Sequence, residues 1–205
     1  METPLCDVWR LADGQVLMVR GATRADVPAV QDFIGRLSLQ SRYRRFFYAA
    51  HELTPPMQRQ FTRANPKVEM SLLAVRVDEQ GRETLVGTAQ YAVARWPELC
   101  EFAVVVADEW QRKGIARRLL RDLIGVATVA GLQSMQGDTL ADNEAMRRLL
   151  LEMGFRFERH ADGPLLRRAV RVLDPACNPE PECEVLAQVA KIARGLPAPA
   201  FHARV

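Results

Sequence analysis

The sequence predicts an α/β (α+β) domain in which a mixed β-sheet carries helices on both faces. Runs rich in β-branched and aliphatic residues at 68–77, 84–94 and 99–106 read as successive strands. Around them lie segments whose apolar residues recur at helical spacing. The order is a strand, helices, an antiparallel meander and then β-α-β-α-β-β, which suits a single layered domain. A chain of 205 residues accommodates one such domain and an appendage.

Each element has its own signal. Residues 1–14 read as an extension, residues 15–20 as the first strand of a domain that runs to 173, and Gly21 as its break. Thr23 and Asp26 mark a helix start, with Pro28 in the first turn, and Val27, Val30, Phe33, Ile34 and Leu37 carry that helix to about 38. The basic and aromatic segment Ser41–Tyr48 reads as a short helix with Phe46 and Phe47 inward and its arginines in water. A third short helix starts at Thr54-Pro55-Pro56. Asp78–Gly81 makes the turn of a hairpin, and the run Leu99–Val106 is a central strand. Ile115, Leu119, Leu120, Leu123, Ala127 and Ala130 line one face of a long helix. A strand near 132–139, a helix near 142–153 and strands near 155–160 and 164–172 close the domain. Residues 174–205 read as a proline-rich linker and a C-terminal amphipathic helix, Glu182–Arg194, with a loose end.

Composition narrows the class. With 48% apolar and 26% charged residues the chain is expected to fold rather than stay disordered. Its net charge of +3 is too mild to imply nucleic-acid binding, yet it tolerates a polyanionic ligand. No apolar run approaches the ~20 residues of a membrane span, and the N-terminus lacks a signal-peptide pattern, so the expected location is cytoplasmic, away from the membrane. The four cysteines are scattered without CxxC spacing, and Cys177 and Cys183 have no histidine near them, so reduced thiols and no metal site are expected. His51, His160 and His202 lack triad-like or metal-like company and read as surface residues.

The chemistry concentrates in Glu101–Ala116, EFAVVVADEWQRKGIA. A strand ends in a short loop that enters a helix through Gly114 and Ala116, so free backbone amides meet the positive end of a helix dipole. Arg112, Lys113, Arg117 and Arg118 add charge, and the whole suits a pyrophosphate. Neither a Walker loop nor a dinucleotide fingerprint is present. Gln111-x-x-Gly114-x-Ala116 after a β-run instead resembles the acyl-CoA-binding signature of the GNAT superfamily of N-acetyltransferases. Asn143 ahead of a helix that ends in Gly154-Phe155 resembles that superfamily's next segment. Residues 37–47, 101–124 and 140–155 further resemble the acetyltransferase domain of bacterial Pat-type protein lysine acetyltransferases.

The resemblance implies a GNAT fold and direct transfer of an acetyl group from acetyl-CoA to an amine, with no metal. It implies that the backbone of Phe102, Val104 and Val106 meets the pantetheine, and that Gln111, Arg112, Lys113, Gly114, Ile115 and Ala116 cradle the pyrophosphate. It also implies that Asn143 bonds the cosubstrate, a role compatible with capping its helix. Glu101 stands where Pat-type enzymes carry their catalytic glutamate, and the apolar strand around it would strip it of water and favour proton uptake. The Val104 N–H is the candidate oxyanion donor. Many GNAT enzymes place a tyrosine seven residues after the asparagine as general acid; here that residue is Leu150. Cys100 lies beside Glu101, but strand alternation points the two oppositely. The acceptor implied is a protein lysine, an acyl-CoA synthetase among the candidates. A small amine and a catalytically silent acyl-CoA sensor are the alternatives.

Overall fold

Strands buried in unbroken runs, as at 70–75 and 85–91, need a layer of helix on each side, and the computed structural model, which describes residues 6–48, 52–62, 64–95 and 97–174, arranges them in that way. The linker and tail after 174, His51 and His202, and Cys177 and Cys183 lie outside the described residues. The strands are β1 (Cys6–Arg10), β2 (Val16–Gly21), β3 (Ala64–Asn65), β4 (Glu69–Val77), β5 (Glu83–Arg95), β6 (Leu99–Val106), β7 (Ser134–Leu140), β8 (Arg156–Arg159) and β9 (Leu166–Val172). The helices are α1 (Val27–Arg36), α2 (Leu39–Phe46), α3 (Pro55–Phe61), α4 (Ile115–Val129) and α5 (Glu144–Glu152). The sheet runs β1-β2-β4-β5-β6-β7-β9-β8, with β3 a spur on β4. Among the described residues every pairing is antiparallel except β6 with β7.

The N-terminal segment expected as an extension joins this sheet: β1 pairs with β2 from Cys6↔Arg20 to Arg10↔Val16. Its signal was weak because an edge strand of five residues carries little pattern.

The two faces are set by alternation. On one, Gly87 of β5 lets α4 approach; a Cβ there would stand 3.3 Å from Ile115 and 3.4 Å from Leu119. Arg20 points to the other face and pairs with Asp26 at the head of α1. α1, α2 and α3 pack on that face against β5, β6 and β4. α4 is nearly enclosed, and even its Arg118 and Asp122 are buried, as an ion pair at 3.0 Å.

The turn leading into α1 carries a capping box of Thr23 and Asp26, in which the Thr23 hydroxyl donates to Asp26 Oδ2 at 2.9 Å and the Thr23 amide donates there at 2.7 Å. Asp26 also takes Arg20 Nη1 at 2.9 Å and Nη2 at 2.6 Å, while Glu83 accepts from Arg20 at 2.6 Å. Burial pushes the Asp26 carboxyl up, but the hydrogen bonds from Arg20 and Thr23 outweigh it and hold the group below the usual carboxylate range. Asp26→Ala leaves a buried guanidinium with Glu83 as its one carboxylate, so a loss of about 3 kcal/mol is expected in urea unfolding. The lowered Asp26 value adds stability that is full above the unfolded-state value of ~3.9 and disappears as pH falls through the folded-state value. Asp26→Asn should therefore flatten the acid limb of stability against pH.

Candidate active site

The geometry starts from β6 and β7. Their parallel pairing holds only at Cys100↔Met135 and Glu101↔Gln136 and then stops, although β6 continues to Val106 and β7 to Leu140. Phe102 explains the parting. A Cβ on Gly137 would fall 2.6–2.9 Å from the Phe102 ring, so the ring occupies the space a side chain on β7 would need. Phe155 holds that ring from beyond, centroid to centroid at 5.0 Å. The opening is a cavity of about 700 Å³ bounded by β6, β7, the 111–117 loop and helix turn, α5, and the α2–α3 region. Phe102, Val104 and Val106 all lie on its wall.

At the end of β6 the chain makes a tight turn, Asp108–Trp110, and then the anion loop. Arg112 at φ 61° and Gly114 at φ 84° both take left-handed backbone, which bends the loop sharply ahead of α4. Gly114 is the N-cap of α4 and no side chain caps that end; the first helical amide with a backbone partner is Arg118, on Gly114 O at 3.0 Å. Open first-turn amides at a helix N-terminus fit the phosphate cradle read from the sequence. Arg112, Gly114, Ile115 and Ala116 line the cavity, with Ile115 buried and anchoring the helix.

Two residues of the cradle behave differently from expectation. The Gln111 amide is used within the turn, donating to Asp108 O at 3.3 Å, and its side chain bonds Val106 O and Ser41 Oγ, each at 3.2 Å. Gln111 thus ties the loop to β6 and α2. Lys113 does not line the cavity: its Nζ meets Asp13 at 2.7 Å and stands 5.1 Å from the Trp110 ring centroid. The N-terminal segment therefore buttresses the loop, through Asp13 and through Trp9, whose ring lies 3.9 Å from where a Gly114 Cβ would stand.

Asp108 fixes α2 over the same end of β6. It accepts the Ser38 amide at 2.8 Å and the Ser38 and Ser41 hydroxyls at 2.7 Å each. Partial burial pushes Asp108 up, but these bonds prevail and hold it below the usual range. Phe46 is buried as expected, whereas Phe47, at φ 61° past the end of α2, faces outward. The arginines are not all in water: Arg45 stacks 4.7 Å from the Phe46 centroid and 5.2 Å from that of Phe61. Helical spacing could not show this, because a short helix capped by a left-handed residue turns its last side chains by tertiary packing.

Glu101 lies on the cavity wall and is exposed, not stripped of water as its apolar neighbours suggested. One carboxylate oxygen accepts from Gln136 Nε2 at 2.9 Å. Cys100 points the opposite way, 0% exposed, with Sγ 3.5 Å from Ser134 O; burial pushes its thiol far up, so it is no nucleophile. A second carboxylate, Asp138, shares the face of Gln136 two residues on. It accepts Arg168 Nε at 2.9 Å and Nη2 at 3.0 Å, and His160 Nε2 stands 3.0 Å away. His160, expected at the surface, is inward, its side chain 5% exposed. Its Nδ1 accepts the Asp162 amide at 3.1 Å, which assigns the Nε2–H tautomer and a bond to Asp138. Burial pushes Asp138 up, and Arg168 with His160 more than reverses it. Asn143 caps α5, accepting the Met146 amide at 3.3 Å, and lines the cavity; Leu150 is buried beneath it.

These features suit a polyanionic ligand with an extended arm. The acetyltransferase (GNAT) family model matches residues 36–155, and the chain belongs to that family. Acetyltransferase PA5475 of Pseudomonas aeruginosa is 34% identical over 152 residues, covering 74% of this chain and 81% of that one. The GNAT domain of S. lividans PAT superposes with a TM-score of 0.72 at 24% identity, over 84% of this chain and all of the other. yncA from Salmonella typhimurium, solved with its cofactor acetyl-CoA, superposes at 0.61 with 21% identity, over 80% and 98%. Acetyl-CoA is accordingly the acyl donor of this enzyme, and among the described residues no His, Cys, Asp and Glu cluster suits a metal ion.

Gly137→Ala should force the Phe102 ring to move, costing about 1–3 kcal/mol of stability and raising KM for acetyl-CoA. Gly114→Glu places a strained left-handed residue and a negative charge at the open amides; calorimetry should find acetyl-CoA binding lost.

Proposed function

We propose that the enzyme transfers the acetyl group of acetyl-CoA directly to a primary amine, with Glu101 as general base. The observation that carries this is the contrast between the two carboxylates of the cavity. Asp138 is saturated by Arg168 and His160, whereas Glu101 holds one hydrogen bond and faces the opening between β6 and β7.

An amine reacts only after losing a proton, since an alkylammonium has a pKa of ~10.4. Glu101 takes that proton, directly or through water. The nitrogen lone pair attacks the thioester carbonyl, with the Val104 N–H as candidate donor to the oxyanion. The attached nitrogen gives its second proton to water and the C–S bond breaks, giving a neutral amide and CoA thiolate. With Leu150 in the tyrosine position, the thiolate leaves as a good leaving group and takes its proton from water. The pantetheine would run along Phe102–Val106, and the pyrophosphate would take the open amides of 112–116 with Arg112 and Arg117 beside them.

The Pat-like segments favour a protein lysine as acceptor. A small amine is favoured by a different observation: Arg44 and Arg45 of α2 and Met57 at the start of α3 line the same cavity as Glu101, which narrows the room for a protein surface. Free-thiol release from acetyl-CoA, with an acyl-CoA synthetase, polyamines, aminoglycosides and amino acids as acceptors, separates the two readings. Acetyl-CoA binding with no release from any acceptor would favour a sensor instead.

Glu101→Gln keeps the bond to Gln136 but not the base. It should lower kcat by about 10²–10⁴-fold while acetyl-CoA still binds. Undiminished turnover would exclude Glu101 as base.

A further inference from the structure

Glu101 has a neighbour whose polar groups are only half engaged. Gln136 stands directly across from it in the β6–β7 register and is half-buried on the cavity wall. Its Nε2 donates to Glu101 Oε1 at 2.9 Å. A carboxylate has no N–H to give, so the amide nitrogen must be the end that faces Glu101, and the Gln136 carbonyl oxygen is left for another partner. Among the described residues nothing donates to that oxygen, and it is not sealed inside the protein.

Bond lengths fix how far apart the two acceptors are. Within one amide the oxygen and nitrogen lie about 2.3 Å from each other. The Gln136 oxygen therefore stands at most about 5.2 Å from Glu101 Oε1. One nitrogen that makes hydrogen bonds of about 2.9 Å reaches both. A protonated primary amine brings three N–H groups, enough to serve both oxygens at once.

We propose that Gln136 is the second contact of the acceptor amine. Glu101 takes one proton from the nitrogen, and the Gln136 carbonyl holds the N–H that stays in the product amide, which turns the lone pair toward the thioester. This rests on the acetyl-transfer reading with Glu101 as base and adds a residue to it. Gln136 gives and takes no atom; it orients. The same contact favours a nitrogen nucleophile over a hydroxyl, whose single proton is the one Glu101 removes.

The test uses the full chain and two CoA thioethers of matched shape, S-carbamoylmethyl-CoA and S-acetonyl-CoA. The first ends in a primary amide and the second in a methyl ketone, so only the first brings N–H groups to Glu101 and Gln136. Binding is read by calorimetry, and acetyl transfer by thiol release from acetyl-CoA. The wild type is expected to bind the amide about tenfold or more tighter than the ketone. Gln136→Leu should cut that preference by about fivefold or more while the ketone binds as before, which reports an intact fold. Gln136→Met, of similar length but without the oxygen, should do the same and guards against misfolding of the leucine variant. Gln136→Glu loses the N–H to Glu101 but keeps an oxygen in place, and should keep the preference. Equal binding of the two thioethers by the wild type, or a preference that survives in Gln136→Leu and Gln136→Met, would overturn the contact. Loss of the preference in Gln136→Glu as well would also overturn it, leaving Gln136 a support for Glu101 alone. Thiol release that depends on Glu101, without the preference, would sink the contact and leave the base standing. The preference without thiol release from any acceptor would support the contact and count against acetyl transfer.

Discussion

Two parallel strands that begin as neighbours and then part govern everything else in this molecule. β6 and β7 share a register for only two residues, after which the Phe102 ring, admitted by Gly137, occupies the space a closed sheet would need. Past that point one edge of β6 lacks a strand neighbour, and backbone groups without a sheet partner must find another. An extended, amide-bearing arm such as pantetheine is a natural one. The parting also makes a passage from one face of the sheet to the other, and the proposed reaction places donor and acceptor there.

The charges around that passage sort by what already holds them. Asp108 is bonded to Ser38 and Ser41, Asp138 to Arg168 and His160, and Lys113 to Asp13. Each of these orients backbone: α2, the β7–β9 pair and the anion loop in turn. Glu101 differs in having one hydrogen bond and an open side, which is what a proton acceptor requires.

Much of the fold could be read from the sequence because its signals were local. The run Leu99–Val106, the hairpin at Asp78–Gly81 and the helix from Ile115 follow from strand propensity, turn chemistry and apolar period, and all three are present. β1 was missed because an edge strand carries half a pattern. Phe47 was misplaced because a left-handed residue after α2 ends the helical period that put it inward. The anion loop was legible because Gly114 and the residues around it are contiguous in the chain.

The rest of the site was not contiguous. Gln136 and Asp138 are two alternate positions in an unremarkable strand, and they become a wall with Glu101 only through the β6–β7 register. His160 lies on Asp138 because β9 brings Arg168 beside it. By itself the sequence determined the helices and most of the strands, the glycine-entered helix N-terminus and the glutamate at the head of the central strand, since these depend on residues a few positions apart. The tertiary structure alone decided which carboxylate keeps an open side and where the sheet opens, because those depend on partners from β7, β9 and α2 that only folding brings within hydrogen-bond reach.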